Sequence, residues 1–231
     1  MDKIQEKDFI EIEYTGRLKG EGFVFDTTDS KEAKKAGIFN EKIDYAPAII
    51  CVGESQLIGM LDKKLIGKEV SKEYKIELVS EEAFGNKDSK LLKLIPVSVF
   101  KKQKINPAPG MRVNIDNAYG IIRTVTGGRI FVDFNHPLAG REVIYSIKIN
   151  RKVEHDEEKV KALMKLELGI KPEHISLKNG EISVDSKIEI PDEFADMLKQ
   201  RFSEMIPSVK SIKFAFKNKE TSKANLGNKN V

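Results

Sequence analysis

The sequence predicts an α+β fold made of more than one structural unit. Residues 9–16 and 73–78 alternate apolar and polar side chains, which is typical of half-buried strands. Residues 156–169 and 191–207 instead place apolar side chains at helical spacing. Between these parts, residues 86–134 combine a leucine-rich stretch, a proline-rich stretch and a meander of short apolar runs. Because the chain has 231 residues, there is room for one large domain or two to three small ones.

The composition argues against a secreted, a membrane and a nucleic-acid-binding protein. The N-terminus is charged, and no apolar run approaches the roughly 18 residues that cross a bilayer, so we expect neither secretion nor membrane insertion, but a cytoplasmic protein. Cys51 is the single cysteine, lies in an apolar run, and is expected to pack as a small hydrophobic residue. Of the net charge of +4, residues 217–231 supply +3, so the body offers no broad basic face for nucleic acid.

The first part reads as an antiparallel sheet with one short helix. Residues 23–25 are predicted to pair with the strand at 9–16, and residues 30–40 to form a surface excursion with one helical turn. Leu57, Leu61 and Leu65 have helical spacing, so we predict an amphipathic helix over 57–67, with Ser55 as N-cap and Gly67 as its end. Residues 143–149 form a strong strand that could return to this sheet.

The middle and last parts read as separate units. In the middle, apolar runs at 111–115, 122–125 and 130–134 are separated by turns at 116–120 and Gly127-Gly128, which indicates a small β-domain. In the last third, a helix is predicted from Asp156 to a stop at Gly169 and Pro172, a hairpin around Asn179-Gly180, a second helix from Pro191 to Pro207, and a strand over 212–216. Residues 218–231 are polar and expected to be disordered.

Several short fragments occur in a specific order. They are Tyr14-Thr15-Gly16, Phe25-Asp26, Val52-Gly53, Leu57-Ile58-Gly59-Met60-Leu61, Ala83-Phe84-Gly85 and, after a break, Asn135-His136-Pro137-Leu138-Ala139-Gly140. Together they resemble the ligand pocket of FKBP-type peptidyl-prolyl cis-trans isomerases. The break lies where SlyD-like members carry their insert-in-flap chaperone domain, and the whole resembles a long archaeal member. The resemblance covers roughly residues 1–151.

The resemblance implies an isomerase that needs no cofactor, and it assigns the site. We expect no metal site, because the tail has neither His nor Cys and His136, His155 and His174 are scattered. The pocket residues would be Tyr14, Phe25, Ile58, Leu61, Phe84 and Tyr145, with Leu57 at the rim and Asp26 as the buried or half-buried polar group. The backbone N–H of Ile58 would donate to a substrate carbonyl. Taken singly, the strand aromatics are better explained as core, and Asp26 as a turn residue. The ordered combination favours the pocket, and His136 is expected to fix its loop rather than act as a base.

Two positions depart from the usual family pattern. Leu61 stands where most members have tryptophan, as is common in the SlyD-like branch, and Phe84 stands where most have tyrosine, which removes a hydroxyl donor. We therefore expect weak catalysis on short peptides and weak macrolide binding.

The resemblance also implies a chaperone insert that holds unfolded chains by apolar contacts. Its candidate contact residues are Leu91, Leu92, Leu94, Ile95, Val97, Val99, Phe100 and Met111, about half of which we expect in the insert's own core. The predicted organisation is an isomerase domain over 1–86 and 135–152, the insert over 87–134, a C-terminal α+β domain over 153–217 and a tail over 218–231.

The expected partners are unfolded, proline-containing polypeptides, with neither nucleic acid nor membrane. Phe194, Met197, Phe202, Ile212, Phe214 and Phe216 make the C-terminal domain rich in apolar residues, so we expect a homodimer through it. One alternative is a holdase chaperone whose pocket has lost catalytic activity because Leu61 and Phe84 replace the usual residues. Another is a C-terminal RNA- or ribosome-binding module that uses the basic tail.

Overall fold

The computed structural model describes residues 3–171, 174–186 and 190–216, with the backbone only at Phe216. In chain order the strands are β1 (Phe9–Leu18), β2 (Val24–Thr27), β3 (Ala48–Cys51), β4 (Lys72–Leu78), β5 (Leu92–Pro96), β6 (Arg112–Ile115), β7 (Ala118–Thr126), β8 (Arg129–Asp133), β9 (Val143–Lys152), β10 (Ile175–Lys178), β11 (Glu181–Ser186) and β12 (Ser211–Phe216). The α-helices are α1 (Ser30–Lys35), α2 (Val97–Lys102), α3 (Asp156–Leu168) and α4 (Asp192–Met205). The predicted α+β class, with antiparallel sheets and few helices, is confirmed.

The first sheet combines strands from before and after residues 86–134. Its order is β2-β1-β9-β4, and β3 pairs with β1 beyond the end of β2. All of its pairings are antiparallel, as the alternating patterns predicted. Strand β9 lies between β1 and β4, and its Ile147 pairs with both Tyr14 and Tyr74. The sheet therefore cannot be completed until the chain has passed through residues 86–134 and returned.

The middle of the chain forms a second antiparallel sheet of its own, in the order β5-β8-β7-β6. The Gly127-Gly128 turn joins β7 to β8 with positive φ at both glycines. The predicted turn over 116–120 is shorter than expected: Asp116 and Asn117 make it with positive φ, and β7 already begins at Ala118. Helix α2 packs against this sheet through Phe100, which is fully buried.

The last third forms a three-stranded sheet with two helices. Helix α3 begins at Asp156 and ends at Gly169, whose φ of 65° gives the left-handed cap that a glycine allows. Asn179 and Gly180 have positive φ in the predicted hairpin between β10 and β11. Strand β12 then pairs in parallel with β11, an arrangement that periodicity did not reveal. The predicted stop at Pro172 and the tail over 218–231 lie outside the described residues.

The C-terminal unit shares its core with the first sheet. Phe9, Cys51 and Val153 are buried in one cluster with α3 residues such as Leu163 and with Phe202 of α4. Cys51 is inaccessible to solvent, and burial raises the pKa of its thiol to about 12, so it packs as an inert hydrophobic residue. This contact fixes α3 beside β3.

The predicted amphipathic helix over 57–67 is wrong. Only Lys63–Leu65 forms a single 3-10 turn, and its N-cap is Asp62 rather than Ser55. Gly59 has a φ of 53°, and the N–H of Met60 donates to the carbonyl of Glu82 at 2.9 Å instead of continuing a helix. The leucine spacing reflects burial instead, since Leu61 and Leu65 are fully buried while Leu57 is partly buried against the same core.

The apolar residues of the C-terminal unit are used mostly inside it. Phe202 is fully buried and Ile212 is 7% exposed, while Phe194 and Phe214 pack partly buried against the same core. Met197 alone of the expected dimer residues is strongly exposed, at 57%. The side chain of Phe216 lies outside the described residues. Apolar content by itself was therefore poor evidence for a dimer.

Candidate functional site

Three aromatic rings build the floor of a cavity above the first sheet. The Phe25 ring meets the Tyr145 ring edge-on at 5.7 Å between centroids, and the Phe84 ring at 5.5 Å. The Tyr145 ring also lies 5.9 Å from the Tyr14 ring. Gly16 makes this packing possible, because a Cβ atom there would come within 2.8 Å of Phe25 and 2.9 Å of Tyr145.

The segment that carries Leu57 and Ile58 is held over these rings by backbone contacts. A Cβ atom at Gly59 would lie 1.7 Å from the carbonyl oxygen of Glu82, so only glycine lets the two loops approach this closely. Within the described residues, no protein acceptor binds the backbone N–H of Ile58. The N–H is therefore available to a substrate carbonyl, and the donor role expected from the sequence stays a prediction.

The resulting cavity has a volume of about 400 Å³, within the usual range for small-ligand sites. Its lining residues are Phe25, Asp26, Ile58, Phe84, His136, Leu138 and Tyr145. Five of the eight predicted site residues are among them. Of the other three, Tyr14 lines a neighbouring cavity beyond Asp26, Leu57 is partly buried beside the core, and Leu61 is fully buried beneath it. The catalytic roles of all eight stay predictions.

The comparisons with known proteins decide the family. A family model described as FKBP-type peptidyl-prolyl cis-trans isomerase matches residues 1–100. The short-type peptidyl-prolyl cis-trans isomerase of Methanocaldococcus jannaschii is 31% identical over 146 residues, which are 63% of this chain and 92% of that protein. The chain belongs to the FKBP-type peptidyl-prolyl cis-trans isomerases.

Other matches extend this assignment along the chain. A model described as FKBP26, IF domain, matches residues 93–138 of the isomerase. The FKBP-type isomerase SlyD of Helicobacter pylori is 26% identical over 154 residues, covering 65% of this chain and 76% of that protein. A crystal structure of the three FKBP domains of wheat FKBP73 aligns with 67% of this chain and 42% of that chain, with a TM-score of 0.35 and 14% identity.

Asp26 is the carboxylate of the isomerase cavity, and it is exposed as a residue rather than buried or half-buried as expected. Desolvation by the surrounding residues raises the pKa of the Asp26 carboxyl above its ordinary value, against a lowering by hydrogen bonds from the Tyr14 hydroxyl and the Thr27 backbone. The pKa of the Tyr14 phenol is raised too, by its own desolvation and then by the Asp26 charge. Tyr14 therefore stays protonated and can donate its hydroxyl proton to the Asp26 carboxylate.

The raised pKa of Asp26 predicts a pH-dependent stability difference between the wild type and Asp26→Asn. Because the folded state binds this proton more tightly than the unfolded chain does, ionised Asp26 destabilises the fold once the pH exceeds its ordinary pKa of 3.8. The free energy of unfolding of Asp26→Asn, relative to wild type, should therefore be larger at pH 7 than at pH 4. Urea titrations at both pH values measure this, and an unchanged difference would contradict the desolvated carboxylate.

Besides Tyr145 of β9, two cavity residues follow the insert in the chain, His136 and Leu138. The His136 ring stacks on the Phe84 ring with centroids 4.6 Å apart, and its Nδ1 accepts the N–H of Leu138 at 3.2 Å. His136 therefore fixes its loop, in agreement with the prediction, and also supports Phe84. Leu138 is a lining residue that we did not single out, although it lies in the recognised string at 135–140.

A buried carboxylate that the sequence analysis missed holds the Ile58 loop in place. Asp62 is inaccessible to solvent and accepts the backbone N–H groups of Gly53 at 3.2 Å, Ser55 at 2.9 Å and Lys63 at 2.8 Å. These bonds close the loop that leads from β3 to Ile58. The only sequence signal was an aspartate directly after an apolar motif, which is equally typical of an exposed helix start.

A second polar network crosses the junction between the cavity and the insert. The Asp133 carboxylate is 3% exposed as a residue and accepts from the Arg123 guanidinium at 2.8 and 3.1 Å and from the Asn135 side chain at 2.9 Å. Asn135 in turn accepts the Asp88 N–H at 2.8 Å and donates to the Asp88 carbonyl at 3.1 Å. The outgoing and returning chains are thus tied together beside the cavity.

The candidate contact residues of the insert differ in burial, and their contact role stays a prediction. Ile95 and Phe100 are buried in the insert's own core, and Leu92, Val97, Val99 and Met111 are half-buried. Leu91 and Leu94 are 38% and 60% exposed. Two exposed apolar residues were missed, Tyr119 at 77% and Val125 at 41%. Their strand periodicity gave no way to tell the outer face from the inner one.

Among the described residues, no three His, Cys, Asp or Glu side chains are grouped so as to hold a metal ion. No helix in the same part of the chain is long and apolar enough to cross a membrane.

Proposed function

We propose that this isomerase acts on unfolded polypeptides, which the insert holds while the cavity isomerises their X-Pro bonds. The observation that carries the proposal is the cavity itself: aromatic and aliphatic walls, a single carboxylate and an unbound backbone donor at Ile58, joined by a tied junction to a sheet that exposes Leu94 and Tyr119. Homologues named SlyD support the comparison with the chaperone-bearing branch.

The chemistry needs no nucleophile. The barrier to rotation about a peptide bond, about 18–20 kcal/mol, comes from amide resonance, which is lost in the twisted state. A dry apolar cavity solvates the planar, charge-separated amide poorly and therefore favours the twisted state. The Ile58 N–H would fix a neighbouring carbonyl. The Asp26 carboxylate, oriented by Tyr14, would lie beside the carbonyl carbon that becomes more positive as resonance is lost.

The experiment that tests this function compares Asp26→Ala with wild type in two assays. Refolding of a protein limited by proline isomerisation should slow by about tenfold to a hundredfold relative to wild type, since a hydrogen bond to a charged group contributes about 1.5–3 kcal/mol. Suppression of aggregation of an unfolded protein should stay unchanged, because Asp26 belongs to the first sheet and not to the insert sheet. If Asp26→Ala leaves both activities unchanged, the holdase alternative is correct and the catalytic proposal fails.

We also propose a homodimer through the C-terminal unit. Met197 on α4 is 57% exposed, and β12 pairs only with β11 among the described strands, so one edge of its sheet is free to meet a second copy. The dimer mass measured by light scattering should fall to the monomer mass in Met197→Glu. Met60→Glu is the matched control, since Met60 is 42% exposed on the isomerase domain. A wild-type monomer at all concentrations would refute the dimer.

A further inference from the structure

A second cavity lies beside the first, between the isomerase sheet and helix α3 of the C-terminal unit. Its volume is about 500 Å³, and Asp26 belongs to the walls of both cavities. On the sheet side it is lined by residues that include Tyr14 and Ala48, and on the helix side by residues that include Ala162 and Leu166. Both cavities are therefore open to one bound chain that passes Asp26.

The two walls of this cleft are held together by specific contacts. The Lys165 ammonium of α3 lies 2.6 Å from the Asp44 carboxylate in the loop before β3. Ile49, also a lining residue, packs against the buried core of the C-terminal unit. The helix therefore has a fixed place opposite Ala48, so the cleft belongs to the fold and does not depend on a chance approach of two domains.

Four charged lining residues of the cleft are already paired with an opposite charge in the protein. Among its lining residues, Lys165 pairs with Asp44, Glu158 with Arg151, and Lys161 with Glu157 at 2.6 Å. Asp26 interacts with the Tyr14 hydroxyl. What remains for a ligand is apolar surface, and the facing rim residues Ile43 and Leu166 are 52% and 46% exposed. An apolar, uncharged group suits this cleft better than an ion does.

We propose that the cleft binds the apolar side chain of the residue that precedes the isomerised proline, so that α3 forms the outer wall of the substrate site. The proposal rests on the function proposed above, with the proline ring in the first cavity and its peptide bond beside Asp26. An extended chain advances about 3.3–3.6 Å per residue, so the residue before that bond reaches the cleft beyond Asp26. Ala162 and Leu166 are then specificity-determining residues supplied by the C-terminal unit.

The test uses the full chain and peptides that differ only in the residue before proline: Gly, Ala, Leu or Phe. Wild type should show kcat/KM for Leu-Pro and Phe-Pro about tenfold above Gly-Pro, as expected for filling an apolar subsite. Ala162→Trp fills the cleft and should bring the Leu-Pro to Gly-Pro ratio of kcat/KM down to about one. Lys199→Trp places the same ring at an exposed position of α4 outside the cleft lining and should keep the wild-type preference.

A second variant guards against misfolding of Ala162→Trp. Leu166→Asp changes an exposed rim residue and adds a charge next to the expected apolar side chain, so it should also lower the Leu-Pro to Gly-Pro ratio while folding normally. The ratio should not change in a parallel series that varies the residue after proline. A wild-type ratio in both variants, or an equal loss on all peptides in Leu166→Asp, would overturn the subsite.

Failure of the subsite is distinguishable from failure of the proposed function. If wild type catalyses isomerisation of every peptide but the α3 variants leave the preference unchanged, the function stands and the cleft is not a substrate site. If wild type catalyses none of the peptides and does not accelerate proline-limited refolding, both the function and the subsite are rejected.

Discussion

Removal of the insert is expected to lower catalysis of proline-limited protein refolding by about a hundredfold, with activity on short peptides kept within about twofold. The reason is effective concentration: a chain held on the insert sheet presents its prolines to the cavity at about millimolar concentration, whereas a short peptide gains nothing from the insert. The variant replaces residues 89–134 by two glycines between Asp88 and Asn135. These two residues are hydrogen-bonded to each other, so a short connection can join them.

Point variants test whether the exposed apolar residues of the insert account for the effect of removing the whole insert. Leu94→Ser combined with Tyr119→Ser removes two residues that are 60% and 77% exposed, and should reproduce a large part of the loss on protein substrates. Phe23→Ser is the matched control, because Phe23 is 51% exposed on the isomerase domain. Equal activity of the shortened chain on peptides and on proteins, relative to wild type, would remove the chaperone part of the proposal.

Replacement of Asp62 by alanine is expected to be the most damaging single substitution near the site. It leaves three partly buried backbone N–H groups, of Gly53, Ser55 and Lys63, without their acceptor. Unsatisfied buried donors cost about 1–3 kcal/mol each, and partial relaxation of the loop leaves an expected loss of about 3 kcal/mol in the free energy of unfolding. Because this loop carries Ile58, isomerase activity should fall even under conditions where the variant is folded.

Two further variants give reference values for the loss in the free energy of unfolding. Asp62→Asn keeps a side-chain oxygen as acceptor and should lose less stability than Asp62→Ala. Asp29→Ala removes the exposed N-cap of α1, which accepts a single N–H, and should cost only about 1 kcal/mol. Urea unfolding together with a peptide assay measures both effects. An Asp62→Ala variant as stable as Asp29→Ala would show that the loop does not depend on this carboxylate.

Secondary structure was predicted best where a single local pattern specifies it. Strict alternation predicted β1 and β4, and the Asn179-Gly180 pair predicted the hairpin of β10 and β11. The helix expected over 57–67 failed because leucine spacing reports burial, not backbone conformation, and Asp62 and Glu82 decide that conformation through distant contacts. Parallel pairing of β12 with β11 was also beyond reach, since nothing local specifies a strand's partner.

For the site, the ordered fragments indicated the right neighbourhood but not the position of every side chain. Phe25, Ile58 and Phe84 meet at one cavity, whereas Leu61 has the same apolar character and lies beneath it in the core. The lining position of Leu138 and the supporting contacts of Asp62 and Asn135 are visible only in the folded structure. Their roles depend on which backbone groups they face, and residue type does not reveal this.

The sequence by itself determined the family-like series of fragments with its interruption, and this series predicts an isomerase pocket interrupted by an insert. That much is carried by residue identity and order, because the pocket needs particular apolar side chains, one carboxylate and close-approach glycines at particular places. Only the tertiary structure decided that β9 returns to the centre of the sheet and that α3 lies against β3. It also decided that a second apolar cleft adjoins Asp26, because a cavity between distant segments is a property of their packing.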